Sequence, residues 1–569
     1  MGIPTKPIDV RLESARPPGP KLLYGERSFL GTRLKRWAHP TWIGLICVFA
    51  LLHAVHLGAD FPNHSPWSFD FAKYTDEGWW SNAAIRAHLY GNWYLAGDFN
   101  PAAAAPVWPF LEWVLFFFTG VSVEAARALA VTAFFANLGL TYLLLRVRGP
   151  RWVGLLTVTL LVTSPFLYCF SRLAILEPLL TALMLAVLNL AVRLPRYRRP
   201  ARVSIVIGLL FTLMLLAKTT AVFLLPGIGW AMIAPLWRER RLATRCVSAA
   251  VATSAVTFGV WMVLIAHFRL MGDYRYLFIV NKYQKPREFY WPLLSFYWSV
   301  RGMLWADRVL IPLVGLIVVT GAFAWRSHWS RKLRRDVVFC SSLLAVGGYI
   351  LFMTYQNHPQ PRYYAVVAIF SILVVVLGIE ALASEAANGS GAERGSRPAW
   401  NRFGGAPHGY AFLAAALVAA CVNAEWTLDY ALHPEYTFVP AVEKLTRYID
   451  QHPNGKRLLL STSSDEITLI SHLPTICDDF GTQDLVSKLK VYQPGWFATW
   501  NVVDPGTLED LHNHYSLEQV ASFHALDDPD RDVLVLFKLH PLPDGQVRNL
   551  PVEQLQQALP GDKIDIPIE

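Results

Sequence analysis

Six charged residues stand where an apolar chain has least reason to hold them. Asp76 and Glu77 are neighbours in "YTDEGWWSNAAIRAHLYG" (74–91), which follows the first long apolar run. Arg172 and Glu177 flank a short apolar link in "SRLAILEPLL". Lys218 interrupts "LLFTLMLLAKTTAVFLLPG", and Arg362 precedes the apolar stretch in "NHPQPRYYAVV". Ionised side chains are costly in hydrocarbon, so they belong at the water boundary or in a protected cavity, and there they are functional candidates. Acids in such a place offer proton transfer or metal binding. Lys and Arg offer charge to a phosphate, Arg in a bidentate fork. Each has a plainer reading. Two acids in a loop are common. Glu177 beside Pro178 fits the first turn of a helix, where Pro loses no hydrogen bond and the dipole favours an acid. Arg172 then ends the preceding span and pairs with Glu177. Lys218 can snorkel to the interface. Adjacent helical residues point apart, so if one of Asp76 and Glu77 faces a cavity, the other holds a metal or a neighbouring side chain.

The elements that must position these groups are membrane helices. The chain has 569 residues, 54% hydrophobic and only 16% charged, where a soluble protein carries about 25% charged residues. Mean hydropathy is +0.32. Apolar runs of about 17–22 residues recur, each long enough to cross a hydrocarbon core of roughly 30 Å. Spans are expected near 41–58, 123–145, 151–169, 178–194, 202–217, 219–236, 245–266, 308–325, 336–354, 363–384 and 409–426, which makes about eleven crossings. The net charge of +9 does not point to nucleic acid. Its basic residues gather in "RVRGPR", "RLPRYRRPAR", "RERRLATR", "RSHWSRKLRRD" and the N-terminal head, all on one side if the N-terminus is cytoplasmic. The stretch "APVWPFLEWVLFFFTG" (105–120) would spoil that pattern as a crossing. It holds two prolines and Glu112, and reads as an interfacial or re-entrant helix in an external loop 59–122; an ordinary span is the alternative.

This divides the chain into a cytoplasmic N-terminal segment (1–40), a transmembrane region (41–427) and a tail (428–569). The tail mixes an amphipathic "VPAVEKLTRYIDQ" with strand-like "RLLLSTS" and "DVLVLFKL", so a small external α/β domain is expected. The Gly/Ala/Ser-rich segment 385–408 reads as a cytoplasmic loop. Of the six cysteines, five lie in apolar runs and none shows metal or disulfide spacing. All six singled-out charges fall opposite the basic loops, on the outer face.

In this order and on this side, the motifs resemble the GT-C glycosyltransferases of the protein O-mannosyltransferase and lipid A aminoarabinose transferase type. "DEGWWSNAAIRAHLYGNW" is similar to their Asp-Glu stretch followed by a helix. "APVWPFLEWVLFFFTGVSVEAARALA" is similar to their interfacial helix, turn and Arg. "SRLAILEPLL" resembles their acid before a helix, with Glu177 where Asp is usual. "LLAKTTAVFLLP" and "PRYYAVVAIF" resemble their lysine and late Arg-Tyr segments. The likeness covers roughly 41–380. It implies a polytopic GT-C fold in a bacterial inner (plasma) membrane, its active site facing the periplasm or outside. It implies a polyprenyl-phosphate-linked sugar donor, and an envelope lipid, glycan or protein acceptor, among membrane lipids. Asp76 would be the general base, with Glu77 beside it in the catalytic pair; Lys218 and Arg362 would bind the donor phosphate; Glu77, Arg172 and Glu177 would shape the acceptor or metal side. Some relatives hold a divalent ion, for which His267 and His358 are weak candidates.

Two other classes fit the composition. A transporter or flippase of lipid-linked saccharides should carry charges within spans and in repeated halves; here they gather on one face. A non-catalytic scaffold would tolerate Asp76→Asn. The external stretch 267–307, aromatic and basic, would cover the cavity as a lid or lie on head groups.

Overall fold

The computed structural model describes residues 32–147, 149–277, 310–325, 327–355, 360–388, 406–527, 531–543 and 564–565. The head 1–31, most of the stretch 267–307, His358 and most of the segment 385–408 lie outside the described residues.

Each expected apolar run contains helix, but their lengths differ. Among the described residues, six helices are long and apolar enough to cross a membrane, or eight if two bent pairs each count as one span. By length and composition the described residues thus give six to eight of the eleven expected crossings. The apolar part of the first helix and the helices Glu177–Ala191 and Leu310–Ala324 are shorter than a full crossing. The bends have local causes. At Arg151–Val162 and Pro165–Ser171, 67° apart, Ser164 caps the second helix and Pro165 opens it.

The helices sort by what covers them. Pro361–Ser384 is 89% buried and lies among other helices, whereas Arg240–His267 is only 17% buried. The second exposes Val251, Val256, Val260 and Val263, an apolar face too large to leave in water and suited to lipid. Residues 105–120 form the helix Val107–Thr119, 13 residues long. At 1.5 Å per residue it reaches about 20 Å, short of a crossing.

Between residues 59 and 122 the chain also forms the helix Asp76–Tyr90, stopped by Gly91 in the left-handed region (φ 73°), whose N–H bonds to the Arg86 carbonyl. Residues 438–541 build an α/β unit on this loop. Its sheet has the order β2-β1-β3-β6-β5: β1 (Leu459–Leu460), β2 (Thr475–Ile476), β3 (Trp496–Trp500), β5 (Tyr515–His524) and β6 (Val533–Pro541). β1 runs parallel to both β2 and β3, while β6 is antiparallel to β3 and β5. The β1–β2 pair needs a crossover, supplied by the helix Ser464–Ser471. β4 (Val502–Val503) pairs with β7 (Ile564–Asp565). The helix Phe438–Gln451 lays Phe438, Val442, Leu445 and Ile449 against the sheet.

Loop and α/β unit share one interior. Tyr74 packs in the same core as Phe438, Trp496 and Trp500, and Leu469 packs with Ala84 and Ile85. The closest approach is at Gly78, where a Cβ would lie 2.0 Å from the Glu466 nitrogen; only glycine fits.

Candidate active site

A cavity of about 470 Å³ lies between the loop helix, the inner helices and the α/β unit. Asp76, Lys218 and Arg362 all line it. Glu77, Arg172, Glu177 and His267 do not appear in its wall.

Asp76 is the first residue of its helix, behind Thr75, where the dipole favours an acid. It is 4% exposed. Its Oδ2 accepts from Trp80 Nε1 at 3.3 Å and lies 2.9 Å from Arg362 Nε. The Thr75 hydroxyl approaches Oδ1 at 3.4 Å. Glu77 points elsewhere. It takes a two-pronged ion pair from Arg127, Nε to Oε1 at 2.8 Å and Nη2 to Oε2 at 2.6 Å, and the Ala174 N–H at 2.7 Å. Arg127 also donates to the carbonyls of Leu57 and Ala59. Glu77 is a buried strut joining four chain segments.

Arg362 sits just before the buried inner helix. Its backbone N–H and Nη1 grip Asp70, at 2.8 and 2.5 Å, and Asp70 in turn accepts the Ala72 N–H at 2.8 Å. Lys218 is the residue between two helical stretches, Pro200–Ala217 and Thr219–Leu224, with extended backbone. The apolar run thus breaks at its lysine. The ammonium donates to Glu177 Oε1 and lies 4.9 Å from the Tyr363 ring centroid. Glu177 opens its own helix and is 1% exposed.

The expected Arg172–Glu177 pair does not form. Arg172 turns instead to the Tyr168 hydroxyl and to the carbonyls of Val55 and His56, at 2.7 and 2.5 Å. The reason is local: the short link 172–176 sends Glu177 into the helical interior toward Lys218, while the chain leaving the first helix brings the carbonyls at 55–56 within reach of the Arg172 guanidinium. His267 ends its helix exposed, edge-on to Phe268.

About half of the cavity wall comes from the α/β unit, none of whose residues the sequence reading singled out. Thr462 follows β1, Asp478–Phe480 follow β2, and Thr499–Asp504 close β3. These are the carboxyl ends of the three parallel strands, the edge at which α/β sheets place ligands. Burial, and then the charge of Asp479, push the Asp478 carboxyl well above its ordinary range. Asp479, next to it, is exposed. Among the described residues, the only grouping of His, Cys, Asp and Glu spaced to hold an ion is Cys477, Asp478 and Asp479. It includes neither Asp76 nor Glu77.

A buried ion network fastens the two halves. Arg86 Nη2 donates to Asp98 at 2.8 Å and to Asp465 at 3.1 Å, and Lys488 reaches Asp98 Oδ1 at 3.1 Å. Glu466 Oε2 accepts the Gly78 N–H at 2.7 Å, tying the α/β unit to the first turn that carries Asp76. Burial and the nearby Glu77 charge raise the Glu466 carboxyl well above its usual range.

No family model matches the chain, and no curated protein matches it. Among solved structures it is similar to ArnT from Cupriavidus metallidurans bound to undecaprenyl phosphate, at 15% identity and a TM-score of 0.57, covering 88% of this chain and 98% of that one. The apo state of the same protein aligns at 16% identity and a TM-score of 0.56, with the same coverage. The likeness is one of fold, over nearly the whole of the compared chain. This protein is an integral membrane protein with the GT-C fold that its motifs resemble.

Proposed function

We propose that the chain is a glycosyltransferase that moves a sugar from a polyprenyl-phosphate-linked donor to a hydroxyl or phosphate of an envelope lipid, glycan or protein acceptor, at the outer membrane face and with inversion. The observation that carries this reading is the meeting of Asp76, Lys218 and Arg362 in one cavity. A carboxylate and two cations at a membrane boundary match the needs of a hydroxyl that must lose a proton and a phosphate that must gain negative charge. The ArnT structure of like fold, with undecaprenyl phosphate bound, supports the donor class.

For a hydroxyl acceptor the step is a single displacement. The acceptor O–H gives its proton to Asp76, which must lie within hydrogen-bond reach of it. The oxygen bonds to the anomeric carbon from the face opposite the lipid phosphate. The carbon–oxygen bond to that phosphate breaks, and its electron pair leaves on the phosphate. Lys218 and Arg362 stabilise the charge developing there, being fixed in place before the reaction. Lys218 commits one of its three N–H donors to Glu177, which leaves donors for a phosphate oxygen. Trp80 and Arg362 hold the Asp76 carboxylate in place. Glu77 and Arg172 act through the scaffold, one steadying the first helical turn and the other the 55–56 loop. The α/β unit stands on the outer side and closes the cavity there.

The test is transfer from radiolabelled polyprenyl-phosphate sugars to total envelope material by purified wild type and by Asp76→Asn. Transfer by wild type and its loss in a folded mutant is the expected result. No transfer from any donor would favour a flippase of lipid-linked saccharides, and equal transfer by both would remove Asp76 as base.

A further inference from the structure

The acids on the α/β side of the cavity have no role in the displacement above. Asp478 and Asp479 follow β2 directly, and Cys477 precedes them. Oxygen or sulfur atoms from all three lie within 4.8 Å of one another. One ion with bonds of roughly 2.1 Å to oxygen and 2.3 Å to sulfur at a tetrahedral angle holds those atoms about 3.6 Å apart, so the three ligand atoms must draw in by about 1 Å to complete the set. An acidic cluster alone means little, but a second observation points to a ligand. Asp478 is 7% exposed and lines the cavity; Thr462 hydrogen-bonds to its carboxyl, but its Oδ1 has no partner among the described residues. Such a buried, unmet carboxylate oxygen is costly unless something binds it.

The neighbouring cations do not meet this need. Lys488 directs its ammonium to Asp98 and to the carbonyls of Cys477 and Phe480. Those bonds shape the loop and leave the two carboxylates without a cation in contact. Arg362 turns Nη1 and Nε to Asp70 and Asp76 rather than to Asp478, and Arg531 lies over Phe71 and Tyr74. The Cys477 thiol, fully buried, approaches Asp479 Oδ1 at 3.2 Å.

We propose that Cys477, Asp478 and Asp479 form a divalent transition-metal site at the carboxyl edge of the parallel strands, at the wall of the cavity that Lys218 and Arg362 also line. One sulfur and two carboxylates suit zinc better than magnesium or calcium, which take oxygen alone. Binding displaces the thiol proton to solvent. The site belongs to the chain whether or not the glycosyltransferase reading holds; only its service to an acceptor rests on that reading.

The test uses the full chain in detergent, stripped of metal and titrated with Zn2+ by calorimetry, then with Co2+ followed by absorption. One Zn2+ per chain is expected, with at least tenfold weaker binding in Asp479→Asn, whose side chain is exposed to the cavity; melting curves check that the variant folds. Co2+ should give a thiolate charge-transfer band that Cys477→Ser abolishes. Absence of saturable Zn2+ binding, unchanged affinity in Asp479→Asn, or Co2+ bound without that band overturns the site. Transfer without metal binding sinks this site alone; metal binding without transfer sinks the glycosyltransferase reading alone.

Discussion

Arg362 Nε lies 2.9 Å from Asp76 Oδ2 while the same guanidinium holds Asp70 at 2.5 Å. One planar fork thus sets the position of the candidate base and, on the proposed function, faces the leaving phosphate. A lysine offers one point charge and no fork. Arg362→Lys should keep most of the fold and lose at least about tenfold in transfer, since a bidentate site does not accept the exchange. Arg362→Ala should also lower thermal stability, because Asp70 is left buried and unpaired. Transfer rates and melting curves of the two variants check this; equal transfer by Arg362→Lys and wild type would contradict it.

Asp76 and Glu77 should separate in experiment although they are neighbours. Asp76→Asn is expected to lower transfer by about 10²–10⁴, the usual worth of a general base, with little change in melting. Glu77→Gln is expected to act on stability, since removing one partner of a buried ion pair costs about 3–5 kcal/mol. Replacing Glu77 and Arg127 together by Met should cost less than the two single changes summed. Additive losses would show that the pair is not a unit.

Stability should depend on pH through Asp465. Burial, in part offset by Arg86, raises its carboxyl from 3.8 to about 7. Between those values the folded protein holds a proton that the unfolded chain has released. Stability therefore falls as pH rises through that window and is greatest below it. Melting of the purified protein should be lower at pH 7.5 than at pH 5.5 in wild type, and the difference should shrink in Asp465→Asn. A slope unchanged by the substitution would assign it to another group.

Gly78→Ala should detach the first turn of its helix from the α/β unit. The added Cβ meets the backbone of Asp465 and Glu466 at 2.0–2.5 Å, and backbone cannot swing aside. Both transfer and protease resistance of residues 438–541 should drop. Glu466→Gln, which keeps an acceptor for the Gly78 N–H, should be far milder than Glu466→Ala, and the pair of variants is read by the same two assays.

The membrane half of the cavity was legible because charge is expensive in an apolar stretch. Lys218 and Arg362 stood out against their surroundings, and both line the cavity. The divergence of adjacent helical residues was legible as well, and it is Asp76 that faces inward while Glu77 braces Arg127. The other half was hidden. "CDDF" after a two-residue strand looks like any surface loop, and its place at the cavity depends on sheet order, which no local pattern encodes. Asp70 in "SFDFAK" gave no signal, because its partner lies 292 residues away. Arg172 and Glu177 misled for the opposite reason: closeness in sequence implied a pair, and packing sent each to a distant partner.

The bond from Gly78 to Glu466 spans 388 residues. A ribosome adding about 5–20 residues per second needs roughly 20–80 s to make that length. During that time the turn bearing Asp76 has emerged without the carboxylate that fastens it, and the loop helix has no wall to close against. The surroundings of Asp76 are therefore assembled among the last features of the molecule, and a nascent chain halted before the α/β unit carries Asp76, Lys218 and Arg362 but no finished pocket to hold them.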